Sequence, residues 1–372
     1  MKLVILCNFG PYSSVGGSEA VISAIAERLI CPPYNYEIDI YAHNYKKDSI
    51  HKGINLFPCP KGDNIVPIIA QNEHIMVYSD SQWNFDSLLG SIGKTAQKAS
   101  ICLVGAYHLQ SHPQSLQLLK ENISRFNLIT HSQITCDYKF CIDNDLPVKV
   151  VPNGVNLSEF EKSEIDFRQK YNIKEKYMIL NVGNFFYGKG FELIPKIAQK
   201  LSEDLDDFVI VQCSNTIRYP YDKIFFERTK KQSKGLNVRF LRDLPRVDIV
   251  AAFKESDMFL FPSKKEIAPI VILECRAAKL PYISMKVGNM MENPGGVPVN
   301  YQKVDNKGYV LIEDSIIRHF SAGIFNSLIP MKINGKKNTR AFKNILISDG
   351  QEDIESIDWD QIVPLYDEVF KG

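Results

Sequence analysis

The chain has 372 residues, 45% hydrophobic and 23% charged, with 44 basic and 43 acidic side chains and a formal net charge of +1. Such a composition excludes disorder and collagen-like repetition, and the length suits two α/β domains better than one core. Balanced charge leaves no global field to recruit nucleic acid or an anionic membrane, so no nucleic-acid partner is expected and membrane contact is at most peripheral.

The first apolar run, Leu3 to Cys7, is too short for a signal peptide or a membrane span and reads as a buried strand. Further strands are expected at Ile38 to Tyr41, Ile75 to Ser79, Ile101 to Ala106, Leu128 to Thr130 and Val148 to Val151. A second set follows at Met178 to Val182, Phe208 to Gln212, Val238 to Leu241, Met258 to Phe261, Tyr282 to Ser284 and Tyr309 to Ile312. Helical patterns separate the runs, which is the order of parallel strands joined by crossover helices. The turn-forming stretch Pro152-Asn153-Gly154 separates the two sets. The expected organisation is therefore a Rossmann-like domain over 1–155, a second over 156–345, and a helical segment over 346–372 that packs across either domain. Two basic clusters, Lys223 to Lys234 and Lys332 to Lys343, read as solvated faces. The eight cysteines form no Cys-x-x-Cys pair and mostly lie in or beside apolar runs, as suits buried thiols in a cytoplasmic setting without zinc.

The residues richest in chemistry run from Phe259 to Cys275. They read as a buried strand, a tight connection, then a helix whose first turn holds Pro269. The amides of Ile270 and Val271 then face outward at the helix start, where they and the macrodipole favour a phosphate. Glu266 precedes the helix and Glu274 sits about one turn into it, both at a strand's carboxyl end, where open α/β sheets bind ligands. Upstream, Gly16 and Gly17 sit between the first strand and a helix carrying Val21, Ile25 and Leu29 on one face, with Ser18 expected as its N-cap. Lys189 follows a strand and a turn at Gly188, a place where a cation neutralises a leaving phosphate.

The segment Phe261 to Pro281 resembles the E-x7-E signature of family 4 retaining glycosyltransferases with the GT-B fold. Val151-Pro152-Asn153-Gly154-Val155-Asn156 is similar to the family's interdomain segment, and Asn181-Val182-Gly183-Asn184 with Lys189-Gly190 to its phosphate loop. Gly16-Gly17-Ser18-Glu19 resembles its glycine loop, and Trp359 with Tyr366 its closing helix. The resemblance covers nearly the whole chain and implies an α/β GT-B fold, two Rossmann-like domains with a deep interdomain cleft. It implies no cofactor, the nucleotide sugar being a substrate, a UDP- or GDP-sugar, and the acceptor a glycan, a lipid-linked group or another hydroxyl. It implies catalytic roles for Glu266, Lys189 and His108, and donor contacts for Gly16, Gly17, Asn184, Pro269, Ile270, Val271 and Glu274. His112 competes with His108 for the sugar contact, and Asn184 stands where the family usually has an arginine.

No divalent metal is expected. The Asp-x-Asp triplets at 143–145, 204–206 and 358–360 do not directly follow a buried strand and read as solvated carboxylates. Acceptor loops are expected around Tyr12 to Val15, Gln82 to Phe85 and His108 to Gln114. The alternatives are a non-hydrolysing sugar-nucleotide epimerase, a sugar phosphorylase, for which the chain is short, and a catalytically weak GT-B scaffold that only binds.

Overall fold

The structure is a computed structural model that describes all residues except 13–15, 61, 73, 82–84, 95–97, 163, 216–218, 330–331, 334–335 and 338–352. The chain divides into two compact units, one of Met1–Gly154 with Ile357–Gly372 and one of Val155–Ser356.

The first unit is built on an eight-stranded sheet. Its strands are β1 Lys2–Cys7, β2 Glu37–Ala42, β3 Ser49–His51, β4 Ile54–Pro58, β5 His74–Tyr78, β6 Lys98–Cys102, β7 Phe126–Thr130 and β8 Val148–Val150, in the order β3-β4-β2-β1-β5-β6-β7-β8. All neighbours are parallel except the β3/β4 pair. The inner parallel strands are largely buried, and β1 is buried from Leu3 to Cys7. The β3/β4 hairpin lacks such a buried run, and no strand was expected there from the sequence. β6 ends at Cys102, short of the expected Ala106, because Gly105 and Ala106 both take positive φ and turn the chain into the helix Tyr107–Ser111.

The carboxyl-terminal helix Trp359–Lys371 belongs to this unit and buries Trp359, Ile362, Val363, Tyr366, Val369 and Phe370. Asp358 caps it by accepting from the Asp360 amide at 2.7 Å, and Asp360 pairs with Arg28 at 2.5 Å. Asp358 thus serves as the helix cap, whereas Asp360, 73% exposed, is the solvated carboxylate expected of it. Gly154 makes room for it: a Cβ there would stand 2.7 Å from the Trp359 indole. In the helix Gly17–Leu29, Gly16 with extended backbone is the N-cap and Ser18 lies one residue inside. The Ser18 hydroxyl interacts instead with the buried Tyr78 phenol.

His74 on β5 is buried, with Nε2 2.9 Å from Ser100 Oγ and its ring 5.3 Å from that of Phe370. Burial, assisted by the charge of Lys98, pulls its pKa down to about 4. The neutral imidazole therefore contributes stability that is present above pH ~6.5 and lost as pH falls toward 4, about 2 to 3 kcal/mol between pH 7 and pH 4.5. Urea melts at the two pH values are expected to show that loss shrinking by this amount in His74→Gln; an undiminished loss would rule His74 out as its source.

The second unit carries an all-parallel six-stranded sheet of β9 Tyr177–Val182, β10 Phe208–Ser214, β11 Val238–Arg242, β12 Met258–Phe261, β13 Tyr282–Met285 and β14 Gly296–Val299. The order is β11-β10-β9-β12-β13-β14, so the direction of winding reverses between β9 and β12. β14, with the sequence Gly-Val-Pro-Val, carries no sequence signal for a strand and is tolerated because it lies at the sheet edge. The expected strand at Tyr309 to Ile312 is absent. A tight turn replaces it, in which Asp305 Oδ1 accepts from the amides of Lys307 and Tyr309 and a single antiparallel bridge joins Val304 to Val310.

Candidate functional site

The carboxyl ends of β9 and β12 lie side by side where the strand order reverses, the place at which open α/β sheets form a ligand crevice. From β9 the chain runs through Gly183 and Asn184 into the single 3-10 turn Tyr187–Lys189. From β12 it runs through Pro262 to Pro269 and then into the helix Ile270–Ala277. These two connections are bonded to each other. The Lys264 amide donates to the Gly188 carbonyl at 2.8 Å, and Ser263 Oγ lies 3.2 Å from the same oxygen. Gly190, with φ of +68°, seats its Cα against the Pro262 carbonyl.

Pinned in this way, Lys189 Nζ donates to Glu266 Oε1 at 2.7 Å, and the Ser263 hydroxyl donates to the same oxygen at 2.5 Å. The Glu266 side chain is only 9% exposed, whereas Lys189 is about one-third exposed. The pair therefore presents its cation to the outside. Tyr309, on the turn after β14, rings against Tyr187 at 6.4 Å, and burial together with the charges of Asp305 and Glu266 pushes its phenol pKa up.

Behind the pair stands a second cation that the sequence did not single out. Lys264 is 1% exposed, donates to Glu192 Oε1 at 2.6 Å, and holds its ammonium 3.0 Å from the Tyr187 ring centroid. Its backbone oxygen also accepts from the Val310 amide at 3.0 Å. Lys264 thus ties the β9 turn, the β12 connection and the Tyr309 turn together.

Pro269 is the N-cap of the helix Ile270–Ala277, with extended ψ of 121°, so the expected place in the first turn shifts out by one residue. The first amides of the helix, including those of Ile270 and Val271, have no acceptor within it. Glu274, one turn in, is buried and ion-paired with Arg246 Nη1. Arg246 opens the helix Arg246–Glu255 and also pairs with Glu159 at 2.8 Å. An arginine after Pro245 carries no motif, and only the fold reveals that it faces Glu274. Asn184 is half-buried in the β9 connection.

The remaining expected residues belong to the first unit. Gly16 and Gly17 start the helix after β1, and a Cβ on Gly17 would meet nothing within 4 Å. His108 lies in the helix Tyr107–Ser111, with Nε2 2.9 Å from Asp86 Oδ1 and 3.2 Å from Ser115 Oγ. Its ring stacks on His112 at 4.0 Å, so the two competing histidines form one stack. Of the expected acceptor loops, residues 13–15 and 82–84 lie outside the described residues.

Residues 163–293 match the family described as Glycosyl transferases group 1. That segment contains Lys189, Lys264, Glu266 and Glu274. Over 321 residues the chain is 20% identical to the phosphatidylinositol N-acetylglucosaminyltransferase GPI3 subunit of Saccharomyces cerevisiae, spanning 78% of this chain and 69% of that one. It is 30% identical over 193 residues to an uncharacterised 41.2 kDa protein of the cps region of Klebsiella pneumoniae, half of each chain. Among solved structures it superposes on an α,α-trehalose-phosphate synthase (UDP-forming) from Burkholderia xenovorans with a TM-score of 0.74 at 10% identity, covering 100% of both chains. The fold is GT-B, two Rossmann-like α/β units, and the sequence relatives of established activity are glycosyltransferases.

Proposed function

We propose that the chain is a retaining glycosyltransferase that moves a sugar from a nucleotide-sugar donor to an acceptor hydroxyl without a metal. The observation that carries this reading is the Lys189–Glu266 pair at the reversal of strand order, followed in the chain by a helix that buries Glu274 one turn from its start. The donor diphosphate lies against the amides of Ile270 and Val271, with Lys189 as its cation. Glu274, held by Arg246, accepts hydrogen bonds from the ribose hydroxyls. The bond from the sugar's anomeric carbon to the diphosphate oxygen breaks, and the leaving diphosphate takes the electron pair. The acceptor oxygen attacks the same face, and its proton passes to the departing phosphate. Glu266 orients the sugar and favours the cationic ring.

A cation in the phosphate loop and charge stabilisation at a helix start supply what a metal would otherwise provide. Asn184, where the family's arginine is missing, donates a hydrogen bond but no charge. A UDP- or GDP-sugar is the proposed donor class. Acceptor-free hydrolysis across a nucleotide-sugar panel tests the donor, and the anomeric configuration of the transferred product tests retention. Inverted product, or turnover abolished by chelation and restored by a divalent ion, would overturn the mechanism.

The two glutamates are expected to separate kinetically. Glu274→Ala weakens nucleotide affinity by about tenfold, the worth of a charge-assisted hydrogen bond, and leaves Arg246 with only Glu159. Glu266→Ala lowers turnover more than nucleotide affinity. Calorimetric titration and donor hydrolysis rates distinguish them, and unchanged values in both variants would remove the site assignment.

A further inference from the structure

The helix Pro220–Gln232 lies between β10 and β11 in sequence, and its inner face packs on the β9 connection, with the Phe225 ring 6.0 Å from that of Tyr187. Its buried side is Asp222, Phe225, Phe226 and Thr229. On the opposite side, positions 221, 224, 228 and 231 recur at spacings of three, four and three residues, so Tyr221, Ile224, Arg228 and Lys231 form one longitudinal stripe. Ile224 is 71% exposed and Tyr221 58%, and the Tyr219 ring stacks on Tyr221 at 5.6 Å. Together with the two exposed tyrosines, Ile224 gives the outer face of this helix an apolar ridge.

The charge around the stripe is one-sided. Over positions 219–234 the basic residues are Lys223, Arg228, Lys230, Lys231 and Lys234, against Asp222 and Glu227. Asp222 is buried, so a single carboxylate remains on the exposed face. Among the described residues none of these five cations is in an ion pair with a carboxylate. The Arg228 guanidinium lies 5.7 Å from the Phe225 ring centroid. In a chain with a net charge of +1, this is a local positive field over an apolar ridge.

We propose that this helix docks the second unit on an anionic lipid surface, lying in the plane of the interface. Ile224 and the two tyrosines sit at the boundary of headgroup and acyl chain, and the lysines and Arg228 meet lipid phosphates. Among the described residues no helix is long and apolar enough to cross a membrane, so the contact is peripheral. The exposed aliphatic side chain favours a bilayer over nucleic acid. A polyanion rewards the cations and the aromatic faces, but Ile224 gains nothing from phosphate, and the near-parallel tyrosine rings, 4° apart, already cover one face of each other.

The test is co-sedimentation of the full chain with vesicles of phosphatidylcholine alone and of phosphatidylcholine with phosphatidylglycerol, at low and high salt. Binding is expected on the anionic vesicles and to weaken with salt. Each lysine removed costs about fivefold in affinity, so Lys223→Ala with Lys231→Ala lowers it about twenty-five-fold. Ile224→Ser, which removes no charge, is expected to weaken binding severalfold at both salt concentrations. Circular dichroism and nucleotide binding establish that these surface variants remain folded. Equal binding to neutral vesicles, anionic binding insensitive to the lysine pair, or binding insensitive to Ile224→Ser would each overturn the proposal. Retention on a soluble polyanion such as heparin without vesicle binding would assign the patch to polyanion binding instead and overturn it as well.

Discussion

Replacing Lys189 by alanine is expected to lower kcat/KM for sugar transfer by about 10²–10³-fold, in line with the loss of one preorganised group that stabilises developing charge. The ammonium is held 2.7 Å from Glu266 by a 3-10 turn that is itself bonded to the β12 connection, so its position does not depend on a flexible loop. As charge builds on the leaving phosphate, a fixed, partly desolvated cation gains more than a mobile one in water, because no reorganisation is needed at the moment of reaction. Stability is expected to change little. Lys189 is about one-third exposed, and Glu266 keeps the Ser263 hydroxyl as a donor when the ammonium is gone. Lys189→Arg retains the charge and is expected to retain most of the activity. Release of nucleoside diphosphate measured for both variants decides the matter: an alanine variant as fast as the parent would show that the leaving group is stabilised elsewhere.

Gly190→Ala is expected to destabilise the second unit by about 3 kcal/mol. The backbone there has φ of +68°, a conformation that costs alanine ~1 kcal/mol before any contact is considered. The added Cβ would also stand 2.0 Å from the Pro262 carbonyl oxygen and 2.9 Å from its carbon. Both are backbone atoms, so no rotamer change relieves the overlap, and the β9 and β12 connections have to move apart. That displacement separates Lys189 from Glu266, so turnover falls along with stability. Gly17→Ala is the comparison, since its Cβ enters open space and is expected to shift the urea midpoint very little. If Gly190→Ala unfolds at the parent's urea concentration, the close approach of the two connections is not what holds the site.

The elements most readable from the sequence are those whose environment is uniform along their length. β9, β10 and β12 are covered on both faces and are mostly apolar, Asn181, Gln212 and Ser214 being buried polar exceptions, so the runs at Met178, Phe208 and Met258 stand out against their polar connections. Edge elements escape this logic. β14 contains a glycine and a proline, and the β3/β4 pair is half open to solvent, so neither displays the apolar run that marks an inner strand. The opposite error at Tyr309 to Ile312 has the same origin: the short apolar run packs on the β12 connection through the Val310 amide, and a tight turn rather than a sheet neighbour satisfies its backbone.

The candidate site divides in the same way. The sequence by itself determined the alternation of strands and helices, the motifs that carry Lys189, Glu266 and Glu274, and their places near strand ends. Only the tertiary structure decided that Lys189 and Glu266, separated by 77 positions, share a hydrogen bond, that Arg246 pairs with Glu274, and that Lys264 is buried against Glu192 and Tyr187. It also decided that the last helix returns to the first unit, where Trp359 needs the bare backbone of Gly154. Local preference and hydrophobic period act over a few residues and are written in the chain. The partner of a charge, or the room for an indole, depends on which strand ends the parallel sheet sets side by side, and that is fixed only when the sheet closes its order.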